Sequence, residues 1–163
     1  MIRKTGLITL ILCLFLLPAA FSADMKIGYI NMRRAFYEYK KTKDFQKELE
    51  GKDILAKEEF EKKAENFRKM RDEIDMLSDK AKEKKQAELR EKAKELDEYR
   101  RTKGEELIRW RDEKIREINK DLMDATGGFA KKNNYDIVLD KMAFVYSPEE
   151  YDITDKVLKE VNK

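Results

Sequence analysis

Between Met32 and Asn134 the chain carries no proline, and its apolar residues return at steps of three and four. Phe60, Phe67 and Ile74 recur at every seventh position, with Met70 and Leu77 three after the last two. Leu89, Ala93 and Leu96 form a second block, and Ile115, Ile118, Leu122, Ala125 and Phe129 a third. This spacing predicts long helices that pack through a narrow apolar seam, as in a coiled coil. The pattern breaks at Leu77, Ser78 and Asp79, where Ser and Asp are turn and capping residues. A helical hairpin over residues 35–129 with its tip near 77–80 is therefore expected. Folding at the Leu77/Ser78 junction sets Phe67 by Leu89, Phe60 by Leu96, Ala56 by Tyr99, Leu49 by Leu107 and Phe45 by Trp110, apolar on apolar in each layer. Arms of about 45 to 50 residues would extend roughly 65 to 75 Å. One continuous helix is the alternative, but it would keep the two ends of the chain apart.

Three short segments at those ends read as strands: Lys26–Asn31, Tyr135–Asp140 and Met142–Ser147. Ile27, Tyr29, Ile30, Ile137, Val138, Leu139, Phe144, Val145 and Tyr146 place β-branched, aromatic or aliphatic side chains on both faces of such a sheet. Three strands with open edges cannot cover both faces, so these nine residues are assigned to oligomerisation in a body made of residues 23–34 and 130–163. After Pro148, the spacing of Ile153, Val157, Leu158 and Val161 predicts a short amphipathic helix with Asp152 as its N-cap. The fold class is thus mainly α with a small β part: a long antiparallel hairpin projecting from a three-stranded sheet that several chains share.

Gly51 and Gly104 stand equally far from the expected tip. Glycine costs about 1 kcal/mol relative to alanine inside a helix, so the pair is a candidate hinge at one height in both arms. Coincidence and close packing are the alternatives.

The first residues belong to no such fold. Arg3 and Lys4 precede an almost wholly apolar run from Gly6 to Leu17, followed by Pro18, Ala19, Ala20, Phe21, Ser22 and Ala23, with small Ala20 and Ser22 at the minus-three and minus-one positions, which reads as a signal peptide over residues 1–22. Its apolar run is shorter than the roughly 20 residues of a membrane-spanning helix. Cleavage between Ser22 and Ala23 would remove Cys13, the one cysteine, together with two of the 37 basic residues and none of the 34 acidic ones, leaving a net charge of +1. An exported chain without thiols draws nothing from disulfides.

Composition narrows the chemistry. Of 163 residues, 44% are charged and none is histidine, which removes the commonest general base and metal ligand. No pair of carboxylates sits in an apolar setting that would split its pKa values, and no glycine-rich phosphate loop is present. No enzyme activity, cofactor or metal is expected. Acidic residues interleave with the lysines and no nucleic-acid-binding motif accompanies them, so nucleic acid is not an expected partner.

Ala23–Phe36 (ADMKIGYINMRRAF), Tyr135–Tyr146 (YDIVLDKMAFVY) and Asp152–Lys159 (DITDKVLK) resemble the Skp/OmpH family of periplasmic chaperones. The resemblance is strongest at the two ends and covers the mature length in layout. It implies a homotrimer with a central barrel and three hairpins around a cavity. In that cavity the family holds unfolded outer-membrane β-barrel proteins in the periplasm, without ATP. An exported coiled-coil adaptor of the cell envelope is the rival assignment. A holdase retains its client by many weak contacts. Met76, which falls off the seam, is the first candidate for apolar client contact, because methionine adapts to varied surfaces. Phe67, Met70 and Leu77 are further candidates, although their heptad positions suit the seam itself. Lys80, Lys82, Lys84 and Lys85 head a basic stretch of the returning arm. It suits acidic clients or an anionic membrane or lipopolysaccharide surface, with a solvated helix face as the plainer alternative.

Overall fold

A computed structural model describes residues 24–163; the expected signal peptide and Cys13 lie outside the described residues. Strand β1 (Ile27–Ile30) leads into helix α1 (Met32–Glu38), and helices α2 (Lys40–Asp75) and α3 (Asp79–Lys132) form an antiparallel hairpin. Strand β2 (Ile137–Asp140) returns beside β1, and two turns of 3-10 helix lead to helix α4 (Thr154–Val161). With 36 residues in α2 and 54 in α3, the helices measure about 54 and 81 Å. Among the described residues no helix is long and apolar enough to cross a membrane.

The outgoing stretch is interrupted at Tyr39, whose backbone is extended with ψ near 130°. The break leaves the Lys40 amide without a helical carbonyl, and Asn162 Oδ1 accepts from it at 2.8 Å. Asn31 caps α1 by accepting from the Arg34 amide, and its own amide donates to Thr154 Oγ1 at 2.9 Å. Both ends of α1 are thus tied to residues at the C-terminal end of the chain. At the tip, α2 ends at Asp75 with Met76 as its C-cap, and α3 starts after its N-cap Ser78. Asn134, with φ of 55°, takes the left-handed conformation that closes α3, and the Tyr135 amide donates back to the Ala130 carbonyl.

The sheet has two parallel strands among the described residues, with Ile27 opposite Ile137 and Ile30 opposite Asp140. The third strand expected over Met142–Ser147 does not form within the chain. Asp140 Oδ1 accepts from the Met142 amide at 3.0 Å and turns the backbone out of the sheet into a 3-10 turn at Lys141–Ala143. Phe144 then folds edge-on against Tyr29, ring centroids 5.0 Å apart, and Val145 and Tyr146 stand exposed. Asp152 pairs in an isolated bridge with Tyr29 rather than N-capping α4 directly. Ile153 holds the cap position, and the Asp152 carboxylate accepts from the Thr154 amide and hydroxyl.

The core sits at the body end. Ile30, Ala35, Phe45, Ile118, Leu122, Ile153, Val157 and Leu158 are its buried residues. Since side chains alternate along a strand, Gly28, Ile30 and Val138 share the face turned to this core. Gly28 permits a close approach there: an added Cβ would lie 3.0 Å from the Tyr135 ring and 3.3 Å from Ile153, so those side chains would have to shift.

Candidate functional site

Of the nine residues assigned to oligomerisation, six lie on the two strands and divide between the faces of the sheet, while Phe144, Val145 and Tyr146 follow it outside any strand. Ile30 and Val138 pack in the core of their own chain. On the opposite face Tyr29 is covered by Phe144, while Ile27, Ile137 and Leu139 remain exposed beside the free edge of β2. Met142 and Tyr146 add further exposed apolar surface. A single chain therefore covers most of one face of its sheet and the other only over Tyr29.

Ion pairs join this end to the arms. Lys41 Nζ donates to Glu117 Oε1 and Asp121 Oδ2, each at 2.6 Å, clamping the first turn of α2 to α3. The ammonium of Lys41, helped by Lys114, holds the Glu117 carboxyl down to about 2. Arg34 pairs with Asp155 and ties α1 to α4.

Along the hairpin the facing side chains leave shallow grooves between α2 and α3. Near the tip, Phe67 and Met70 share a groove of about 230 Å³ with Leu96, Lys63 and Lys92. Lower down, Ala56 and Phe60 meet Tyr99 and Leu107 across a second groove, and Leu49 meets Leu107 across a third. The Tyr99 hydroxyl donates to Glu59, which pushes its pKa up to about 12, and Lys63 Nζ lies 5.0 Å from the Tyr99 ring centroid. Phe45 and Trp110 pack where the arms leave the body.

Met76 stands on the apex, 86% exposed, and Leu77 beside it is half-buried. Phe67 and Met70 are half-buried too, so they floor a groove while helping to fill the seam. Of the tip lysines, Lys85 pairs with Glu88 at 3.0 Å. Lys80, Lys82 and Lys84 make no ion pair among the described side chains, and Lys80 and Lys84 are exposed. Gly51 and Gly104 both lie inside unbroken helix, and an added Cβ at either would meet no atom within 4 Å. Close packing therefore explains neither glycine. Exposed apolar residues at mid-arm, Ile54, Leu55 and Ile108, were not singled out by the heptad pattern because they fall outside the seam. Among the described residues no group of three or more His, Cys, Asp or Glu is arranged to hold a metal ion.

None of the curated proteins matches this chain. A crystal structure described as that of a candidate OmpH-like outer membrane chaperone from Caulobacter crescentus CB15 superposes with a TM-score of 0.78, at 15% identity over 85% of this chain and 84% of that one. The two share a fold. The profile of the family described as Outer membrane protein (OmpH-like) matches residues 26–161, nearly all of the structured chain. A helical hairpin rooted in a small parallel sheet, matched by that profile from β1 to the end of α4, places the chain in the OmpH-like outer membrane protein family.

Proposed function

We propose that the protein is an ATP-independent periplasmic holdase, a homotrimer whose hairpins surround unfolded outer-membrane β-barrel proteins. The observation that carries this proposal is the apolar surface left over at the body: Ile137 and Leu139 exposed beside the free edge of β2, with Val145 and Tyr146 exposed on the segment that follows. Neighbouring copies can cover that surface, and residues 142–147 then gain the strand partner that they lack in one chain. Three bodies joined in this way set three hairpins side by side around a common space.

Client contact in this assembly is distributed. Met76 offers an adaptable apolar contact at the apex and Leu77 a second, while Phe67 and Met70 offer more within the outer groove. Lys80, Lys82, Lys84 and Lys85 attract anionic groups of the client, of a membrane or of lipopolysaccharide. Many weak contacts retain a client without trapping it. Gly51 and Gly104 let the outer arms bend to accommodate clients of different size.

The test is a pair of measurements on residues 23–163. Light scattering should give three times the mass of one chain. An outer-membrane barrel protein diluted from urea should then remain soluble at one trimer per client. A folded monomer, or a trimer that leaves the client to aggregate as an envelope adaptor would, overturns the proposal.

A further inference from the structure

We infer that the groove at mid-height of the hairpin, bordered by Gly104, is a docking site for apolar side chains of an extended, unfolded polypeptide. This rests on the holdase proposal and locates part of its client contact. The groove has a volume of about 610 Å³ and is walled by Leu49, Leu107 and Ile108, with Gly104 at its edge. Ile108 is 52% exposed, an apolar side chain held at the groove wall with much of its surface uncovered. Gly104 also borders the adjoining niche of Ala56, Phe60 and Tyr99. Gly104 and Leu107 are thus shared by the two niches, which follow one another along the hairpin. Nothing in the packing demands glycine, because a Cβ there would meet open space. Gly51, at the same height in the other arm, borders neither niche, so the two glycines do not have the same surroundings.

The rim selects the occupant. Glu50, Asp53 and Gln46 line the larger groove opposite Arg111, and Lys57, Glu61 and Arg100 border the smaller one. A polyanion or an anionic membrane calls for a rim of one sign. An unfolded chain brings apolar side chains together with unpaired amides, carbonyls and charges of both signs, and the rim can meet these through Gln46, Glu50 and Glu61 and by exchange of the exposed pairs Asp53–Lys57, Arg100–Asp97 and Arg111–Asp112.

Gly104→Leu and Gly104→Ala remove the same backbone freedom but differ in how far they fill the trough. With a fluorescent barrel protein diluted from urea onto the full trimer, Gly104→Leu should raise the dissociation constant about tenfold, comparable to one buried apolar contact. Gly104→Ala should stay within about twofold. Equal losses in both variants, or no loss in the leucine variant, overturn the inference. A photo-cross-linker provides a readout that does not depend on the leucine variant folding. Placed at Ile108 it should capture the client, whereas at Thr102, exposed on another side of the same helix and lining neither groove, it should not; no capture at 108, or equal capture at both, also overturns it. A wild-type trimer that lets the barrel protein aggregate would sink the holdase proposal separately. Cross-linking from Ile108 to a reduced, carboxymethylated soluble protein would then still decide for or against the groove.

Discussion

The indole of Trp110 lies against the ring of Phe45, centroids 5.5 Å apart and planes tilted by 36°. Phe45 is buried, and Lys52 Nζ lies 5.0 Å from the indole centroid. This contact sets the register of α2 on α3 at the point where both leave the core, so an error here would propagate along the whole arm. Phe45→Ala removes a buried ring and should cost about 3 kcal/mol. Thermal unfolding followed by circular dichroism checks this, and Trp110 fluorescence should shift to longer wavelength in the folded variant. An unchanged midpoint would mean that the arms are held in register elsewhere.

A second link between the same helices responds to acid. The Glu117 carboxyl is held at about 2 by hydrogen bonds from Lys41 and then Lys114, against an ordinary value of 4.5. A depressed carboxylate contributes its full stabilisation above the unfolded value and loses it as pH falls through the folded one. Stability should therefore decline between pH 4.5 and pH 2. The Lys41 ammonium is itself raised above its ordinary 10.5, by the hydrogen bonds it donates to Asp121 and then Glu117. Its contribution is present below that value and is lost only at strongly alkaline pH. Both Lys41 and Glu117 are more than a third exposed, so the effect is small. Lys41→Met should flatten the acid limb of the melting curve; an identical limb would assign the acid sensitivity to other carboxylates.

The hairpin was legible because its signal is repeated: a heptad seam runs through Phe60, Phe67 and Ile74, and the turn residues stand at Ser78 and Asp79. The break at Tyr39 was not legible. No glycine or proline marks it, and the group that satisfies the freed Lys40 amide is Asn162, at the far end of the chain. The expected third strand failed for a local reason, since Asp140 accepts from the Met142 amide. An Asp two residues before the start of a supposed strand was the available signal, and the β-branched and aromatic residues that follow outweighed it. At the candidate site, the distance of Gly51 and Gly104 from the tip was readable, but their different surroundings were not. Which glycine borders a groove depends on the rotation of each helix, and heptad spacing alone does not resolve that where Ile108 lies off the seam.

Gly51→Ala together with Gly104→Ala should raise stability by about 1 kcal/mol per site, because both lie within helices and neither new methyl meets a neighbour. If the glycines bend the arms, the same double variant should also narrow the spread of tip-to-tip distances measured between spin labels. A stabilised protein with an unchanged spread would remove the hinge and leave only the gain in helix propensity.

At the tip, charge and apolar contact can be separated by salt. Reversing Lys82, Lys84, Lys85 and Lys92 should weaken client capture at low ionic strength, and the difference should shrink once the screening length falls to about 8 Å at physiological salt. Met76→Ser should weaken capture at every salt concentration. It should leave the melting temperature unchanged, since the side chain is 86% exposed. Equal affinity in the lysine variant at low salt would confine those residues to keeping the arm soluble.

Leu139 offers the most direct test of the body. It lies on β2 opposite Tyr29, with its side chain on the sheet face that the chain itself leaves open. Leu139→Glu exchanges an exposed apolar side chain for a charged one, so within a single chain it should cost little. At a face buried between copies, the same change would set a carboxylate into apolar surroundings without a partner, a cost of several kcal/mol for each copy. Light scattering should therefore report the mass of one chain, while circular dichroism should retain the helical signal of the hairpin. Client protection should be lost with the trimer, because a lone arm encloses nothing. A Leu139→Glu protein that remains trimeric would place the joining surface elsewhere on the body.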